Sequence, residues 1–288
     1  MPDSTPETAP ETTAAATPAP VPQSPDEFAG VTDEGILVGW DGRVQIAYAH
    51  EHRVSHSWHS SMMDMLAYDK SVGMNLVGSA PYRVFCSGPH GLVEGRNTAV
   101  RWFLDNSPHE WFFWVDTDMG FEADALDRLV AAADPIDRPI VGGLCFAARN
   151  IRPDGSGGFI VRPLPTMFGM ARDRAGTLGF INMSTYPENE LVPVAGTGSA
   201  FILIHRTVLE AIELKDGDHW YTPVAYGDGK PISEDLSFCY RANRAGYPAY
   251  VHTGIQTTHH KDIWISADMY EQPDVDPVFG GGSDGAPA

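Results

Sequence analysis

The chain has 288 residues, 43% of them hydrophobic and seven of them Trp, enough for one large α/β domain or two small ones. Its formal net charge is −19, from 38 acidic and 19 basic side chains. No basic stripe interrupts that acidity, so nucleic acid is disfavoured as a main partner: affinity for a phosphate backbone is carried by clustered Lys and Arg. No apolar run approaches a membrane span, and the N-terminus lacks a basic-then-apolar leader. A soluble, cytoplasmic protein with no membrane partner is expected. Cys86, Cys145 and Cys239 are odd in number and lack C-x-x-C spacing, and read as buried free thiols of a reducing compartment.

Residues 1–30, rich in Pro, Thr, Ala and Glu, have too little apolar surface to offset the entropy of ordering and read as a disordered tail. Residues 271–288, rich in Gly and Asp, read as a second flexible tail, which leaves 35–270 as the folded domain. Arg43–Ala49 has the β-branched, apolar character of a first strand. His50, His52, His56 and His59 follow. Without a Cys or carboxylate set they suit a loop and first helical turn lining a ligand cleft better than a metal site. Tyr82–Ser87 is a second strand, and Thr98–Leu104 a helix. Arg96 stands near that helix start, where it can reach a phosphate or form a surface ion pair.

Trp111–Val115 (WFFWV) reads as a strand buried on both faces. It stops on Asp116-Thr117-Asp118, ahead of a helix from Glu122. Open α/β sheets bind ligands at the carboxyl ends of their strands. An acidic pair there, with no obvious basic partner in the sequence, is costly unless something positive neutralises it. A divalent, oxygen-loving ion that also holds phosphate is the economical candidate. A turn with an acidic helix N-terminus is the plainer account.

Pro139–Leu144 is the next strand, and its Gly142-Gly143 pair permits a close backbone approach, by a ligand or by a neighbouring chain segment. The βα alternation to this point implies a parallel sheet. From Asn150 to Pro193 the pattern loosens into short antiparallel strands and loops. Gly196-Thr197-Gly198 then forms a turn before a buried strand, suited to a close approach to substrate or to a plain hairpin. It is not a phosphate-cradling loop, because strand rather than helix follows the glycines. Ser233 can cap a helix over Leu236–Ala245 that ends at Gly246. Glu234 and Asp235 favour its dipole, which accounts for one acid more comfortably than for two. The last strand, from Tyr250 to about Thr258, runs into His259-His260.

In this order, the early βαβ half, Asp116-Thr117-Asp118, Ser233-Glu234-Asp235 and the late strand ending in His259 resemble a GT-A fold glycosyltransferase, similar to the family 2-like nucleotide-sugar transferases. Arg96-Asn97, Ile140-Val141-Gly142-Gly143 and Gly196-Thr197-Gly198 add to the resemblance, which covers residues 43 to 262. It implies an α/β, Rossmann-like mixed sheet, mostly parallel, with helices on both faces and a small antiparallel subdomain. It also implies a hexosyltransferase-like enzyme. Asp118, with Asp116 directly or through water and ribose, would hold Mn²⁺ or Mg²⁺ against the diphosphate of a UDP- or GDP-sugar, and His259 would complete the metal site. His50 and Glu51 would meet the nucleoside base, Arg96 and Thr117 the donor, and Gly196, Thr197 and Gly198 the acceptor, a glycan or a protein. Asp235 would be the base for the acceptor hydroxyl in an inverting displacement, with Glu234 orienting the acceptor. Ser233 stands where the family usually has Thr, and His252 where related sequences often have Asp. His260 beside His259 leaves the choice of ligand open.

Two other readings use the same residues. A nucleotide- or carbohydrate-binding module with an inactive site would bind without turnover. A haloacid-dehalogenase-type phosphatase also has a strand followed by D-x-D. However, it wants Thr or Val two residues after the second Asp, where this chain has Gly120, and its D-x-D strand normally comes first.

Overall fold

A computed structural model describes residues 42–51, 53–72, 74–86, 91–153, 159–172, 178–226, 229–260 and 264–265. All belong to one unit, Trp40–Ala288; the tails expected at 1–30 and 271–288, and His52, lie outside the described residues.

In chain order the elements are β1 (Val44–His50), α1 (His56–Ser71), β2 (Tyr82–Phe85), α2 (Gly91–Asn106), β3 (Trp111–Val115), β4 (Met119–Gly120), α3 (Ala125–Ala132), β5 (Ile140–Leu144), β6 (Phe146–Pro153), β7 (Phe159–Pro165), β8 (Met167–Arg172), β9 (Leu178–Asn182), β10 (Leu191–Val194), β11 (Gly196–Thr197), β12 (Phe201–His205), α4 (Arg206–Asp216), β13 (Ala225–Tyr226), β14 (Lys230–Pro231), α5 (Glu234–Ala245), β15 (Ala249–Gln256), β16 (Thr258–His260) and β17 (Trp264–Ile265).

The main sheet has seven strands in the order β10-β15-β5-β12-β3-β1-β2. β1, β2, β3, β5 and β15 run one way, while β12 and β10 run against their neighbours. This is the mixed, mostly parallel α/β sheet expected from the sequence. All five residues of β3 are buried because helices cover both faces. Phe112 and Trp114 pack with Val100 and Phe103 of α2, Val208 and Leu209 of α4 and Phe238 of α5. Trp111, Phe113 and Val115 pack on the other face with Met62 and Met65 of α1 and Leu126 and Leu129 of α3. The strand's period-2 alternation therefore feeds two separate cores.

The looser stretch after Asn150 is antiparallel, as expected: β6 pairs with β7, and β8 with β9 and β11. The three cysteines are buried and free. No helix among the described residues is long and apolar enough to cross a membrane.

The structure departs from the sequence reading at α2, which begins at Gly91, well ahead of the expected Thr98. Glycine disfavours helix in isolation, but Gly95 packs directly against the Cys86 thiol, where a Cβ would collide. The close approach of α2 to the edge of the sheet overrides local propensity. Gly143 of β5 is explained in the same way. A Cβ on Gly143 would lie 2.9 Å from Phe201 Cδ1 and 3.0 Å from the Ile255 carbonyl oxygen, so the close approach there is by a neighbouring strand. Gly143→Ala is expected to lower stability by about 1–3 kcal/mol, the usual penalty for overpacking; urea unfolding at constant m-value would measure it.

Candidate functional site

The site is built at one edge of the sheet. β1 and β3 are parallel neighbours, so His50 and Glu51 at the end of β1 share an edge with Asp116-Thr117-Asp118. β12 is antiparallel to β3, so its beginning arrives there too, and the Asp116 amide donates to the Ala200 carbonyl at 2.8 Å. The start of α5 joins them through Arg96.

Arg96 is the centre of the arrangement. Its side chain is 1% exposed, and its Nη2 donates to both oxygens of Asp116 at 3.1 and 3.0 Å. Nη1 donates to Asp235 and, at 3.4 Å, to Glu234. The guanidinium also lies 5.5 Å from the Trp114 ring centroid and 5.3 Å from that of Tyr221. Burial works against the charge, but Asp116 and then Asp235 more than offset it and raise the Arg96 pKa. The acidic pair that lacked a basic partner in the sequence therefore has one for Asp116, twenty residues upstream and on a different element. Arg96 also stands in the second turn of α2 rather than at a helix start. With its side chain 1% exposed, it is less accessible to solvent than the acids it holds.

Asp116 is fully engaged, since Trp114 Nε1 also donates to its Oδ1 at 2.7 Å. The Asp235 side chain is 24% exposed. Removal from water raises its pKa, opposed by Arg96 and reinforced by Glu234 and Asp116. A carboxylate with a raised pKa, still reachable from solvent, suits a group that must take a proton.

Asp118 and His259 form a second, separate arrangement. β16 pairs with β4, bringing His259 opposite Met119. His259 Nε2 lies 3.1 Å from Asp118 Oδ2, while Nδ1 donates to the Phe146 carbonyl at 2.8 Å. With Nδ1 committed as donor, a neutral ring presents an Nε2 lone pair to a carboxylate oxygen. Only a proton or a shared cation makes that contact favourable. Two cis donors on an octahedral ion with bonds of roughly 2.1 Å lie about 3.0 Å apart, so the spacing fits one ion held by both. The carbonyl that fixes the ring is the usual outer support of a metal-bound histidine. Among the described residues no three His, Cys, Asp or Glu side chains group as a metal site. An ion here would draw its remaining ligands from water and substrate, as Mg²⁺ commonly does. His260 stands next to this pair through its amide, which donates to the Asp118 carbonyl at 2.8 Å.

The remaining expected residues are placed less pointedly. His50 is half-buried, its ring 5.7 Å from Phe85 at 72°, and Glu51 is exposed. Thr117 Oγ1 donates to the Ala49 carbonyl at 3.3 Å, and its own carbonyl accepts the Ser55 amide at 2.8 Å. It ties the end of β1 to the acidic turn. His56 and His59 are exposed. Gly196 and Thr197 are buried against α5: a Cβ on Gly196 would sit 2.8 Å from Leu236 Cδ2, and the Thr197 amide donates to Cys239 Sγ at 3.4 Å. The close approach at this turn is made by the helix that carries Asp235. Trp114, Ser199 and Tyr221 were not singled out from the sequence. Each reads there as an ordinary core or loop residue, and only the fold gathers them around Arg96 and Asp235.

No family model matches the chain, and no curated protein matches it. Among solved structures, A197 from STIV is similar over 81% of this chain and 96% of its own, at 16% identity and a TM-score of 0.45. GalNAc-T7, solved with UDP, GalNAc and Mn²⁺, is similar over 83% of this chain at 10% identity and a TM-score of 0.47. This chain spans 46% of that protein's length.

Removing the guanidinium leaves Asp116 and Asp235 without their shared partner. Arg96→Gln is expected to destabilise by about 3–5 kcal/mol, as loss of one member of a buried ion pair does. Asp235, already raised, moves further up in this variant. A carboxyl raised in the folded state contributes stability that is present below its ordinary pKa and lost as pH rises through the raised one. The gap between parent and variant should therefore narrow as pH falls from neutral towards 4, which urea unfolding across that range would show.

Proposed function

We propose that the chain is a metal-dependent glycosyltransferase that moves a sugar from a nucleotide-sugar donor to an acceptor hydroxyl. The observation that carries this reading is the presence of two differently equipped acidic sets at one sheet edge. Asp118 and His259 are spaced for a divalent ion, Mn²⁺ or Mg²⁺, and Asp235 is a partly exposed carboxylate with a raised pKa. Glycosyl transfer needs both kinds. The acceptor oxygen bonds to the anomeric carbon as the bond from that carbon to the phosphate oxygen breaks, and the electron pair leaves with the diphosphate. The acceptor's proton passes to Asp235, which acts as general base. When bound, the ion supplies positive charge for the departing diphosphate. Glu234, 3.4 Å from Arg96, would orient the acceptor. Attack opposite the leaving group gives inversion.

Arg96 in this reading pairs with two acids side by side and fixes their separation. Asp116 contributes to the donor site through that hold, while Asp118 takes the ion. His50 and Glu51, beside Phe85 at the end of β1, would meet the base of a UDP- or GDP-sugar, and the acceptor would be a glycan or a protein side chain.

One observation favours the second reading, a nucleotide- or carbohydrate-binding module without turnover: Asp235 is ion-paired to Arg96, which opposes proton uptake. A phosphatase with Asp116 as nucleophile is disfavoured, because both oxygens of Asp116 already accept hydrogen bonds.

Calorimetric titration of UDP, GDP and their sugars, with Mn²⁺ and with EDTA, tests the proposal. Metal-dependent binding of one nucleotide is expected, and absence of binding under every condition would overturn the transferase reading. His259→Ala and Asp118→Ala should each weaken Mn²⁺ retention by roughly tenfold or more, as loss of a ligand or its support does.

Asp235→Asn should bind donor normally and lose about 10²–10⁴-fold in transfer, the usual worth of a general base. Transfer at the parent rate would remove Asp235 from that role. Activity should also fall on the acid side of the pH profile, with its limb above the ordinary Asp range, because the base must be ionised and its pKa is raised.

A further inference from the structure

Two buried hydroxyls stand behind Asp235 and have no part in the chemistry above. Ser199 follows the Gly196-Thr197-Gly198 turn, and Tyr221 lies between α4 and β13. Both residues are fully buried. Neither hydroxyl has a hydrogen bond of good geometry among the described residues, yet both residues border Asp235. Ala200, next to Ser199, accepts the Asp116 amide. Gly196 of the same turn packs on Leu236, next to Asp235, and Tyr221 stacks on Phe238 of the same helix. The Tyr221 ring lies under the Arg96 guanidinium that holds Asp235, and the Ser199 hydroxyl bears on both Tyr221 and Asp235.

The scaffold around them is firmly tied. Tyr221 stacks on Phe238 of α5 with centroids 4.9 Å apart and planes at 12°, and its amide donates to Asn97 Oδ1 at 2.8 Å. Arg241 donates to the carbonyls of Trp220 at 3.3 Å and Thr222 at 2.6 Å. Ser237, on the same helix as Asp235, shows what a structural serine does here. Its Oγ accepts from the Val224 amide at 3.0 Å and donates to the Ser233 carbonyl at 2.8 Å. Buried hydroxyls are almost always paired in this way. Two that are not, fixed beside the proposed base, have the loose alignment that catalytic hydrogen bonds often show before substrate binds.

We propose that Ser199, backed by Tyr221, is the positioning residue of Asp235: the Tyr221 hydroxyl donates to Ser199 Oγ, and the Ser199 hydroxyl donates to the Asp235 carboxylate. This rests on the reading of Asp235 as the acceptor base. The relay holds the plane of the carboxylate from the side of the glycine turn, while Arg96 holds it from α2. The charged and titratable groups around it are Arg96, Asp116 from the end of β3, Glu234 and Cys239 from α5, and Tyr221 itself.

The test is the rate of nucleoside diphosphate release, with Mn²⁺ and the nucleotide sugar that binds in the titration above. Ser199→Ala should lower kcat by about tenfold with donor KM unchanged, a loss of orientation rather than of binding. Ser199→Thr, which keeps the hydroxyl, should restore most of it, and Tyr221→Phe should lower kcat by a smaller factor. In an Asp235→Ala background, Ser199→Ala should cost nothing further in rate or in urea midpoint. An unchanged kcat in Ser199→Ala, or losses that simply add in the Asp235→Ala background, would overturn the relay. If the parent protein releases no nucleoside diphosphate, the transferase reading fails by itself. The urea midpoints then decide the Ser199–Asp235 contact alone, with additivity overturning it and non-additivity supporting it.

Discussion

A single buried guanidinium makes the acidic edge of this sheet possible. Asp116, Glu234 and Asp235 come from the end of β3 and the start of α5, elements that meet only through the fold. Three carboxylates so close, each about three-quarters buried, would repel one another and lose hydration together. Arg96 answers both costs. Its planar fork gives one terminal nitrogen to Asp116 and the other to α5, a geometry that the point charge of lysine cannot reproduce. Trp114 and Tyr221 flank the cation and keep it dry, which strengthens every one of these contacts. Helix α2 must therefore approach the sheet closely enough to deliver Arg96, and Gly95 against Cys86 is what permits that approach.

The acidic turn divides because of where its two aspartates stand. Asp116 leaves β3 beside Trp114 and faces the α2 side, where Arg96 and the indole nitrogen take both its oxygens. Asp118 lies at the start of β4 and meets β16, where His259 awaits it with its ring already fixed by the Phe146 carbonyl. One short sequence thus supplies an acid held by Arg96 and an acid in contact with His259. A D-x-D spacing cannot itself convey this division, which depends on which elements flank each side chain.

The main strands were legible because WFFWV, IVGGL and FILI are apolar throughout, as a sheet covered on both faces requires. The helix ends with strong local chemistry, Ser233 as cap and Gly246 as stop, were legible for the same local reason. The contact of Asp118 with His259 followed no local signal; it was suggested only by a resemblance in the order of motifs, with His260 left as an alternative. The role of Arg96 was not legible, because its partners are 20 and 139 residues away, and no periodicity encodes such contacts. The start of α2 was missed because two glycines disfavour a helix that tertiary packing then demands. The glycine turn could be read as a close approach to substrate or a plain hairpin; what the sequence could not convey is that α5 packs against Gly196.

The reversal of β12 has a consequence for the site. If β12 ran parallel to β3, its N-terminal turn would lie at the opposite edge, away from Asp116 and Asp118. Running antiparallel, it brings Gly196-Thr197-Gly198-Ser199 to the carboxyl end of β3, within one residue of the bond from the Asp116 amide to Ala200. The absence of side chains at Gly196 lets α5 settle against that turn, and α5 carries Asp235 with it. The same reversed strand therefore fixes the distance between the acid that begins the D-x-D turn and the acid proposed as base. It also brings the Ser199 hydroxyl, proposed to position that base, to the same edge of the sheet.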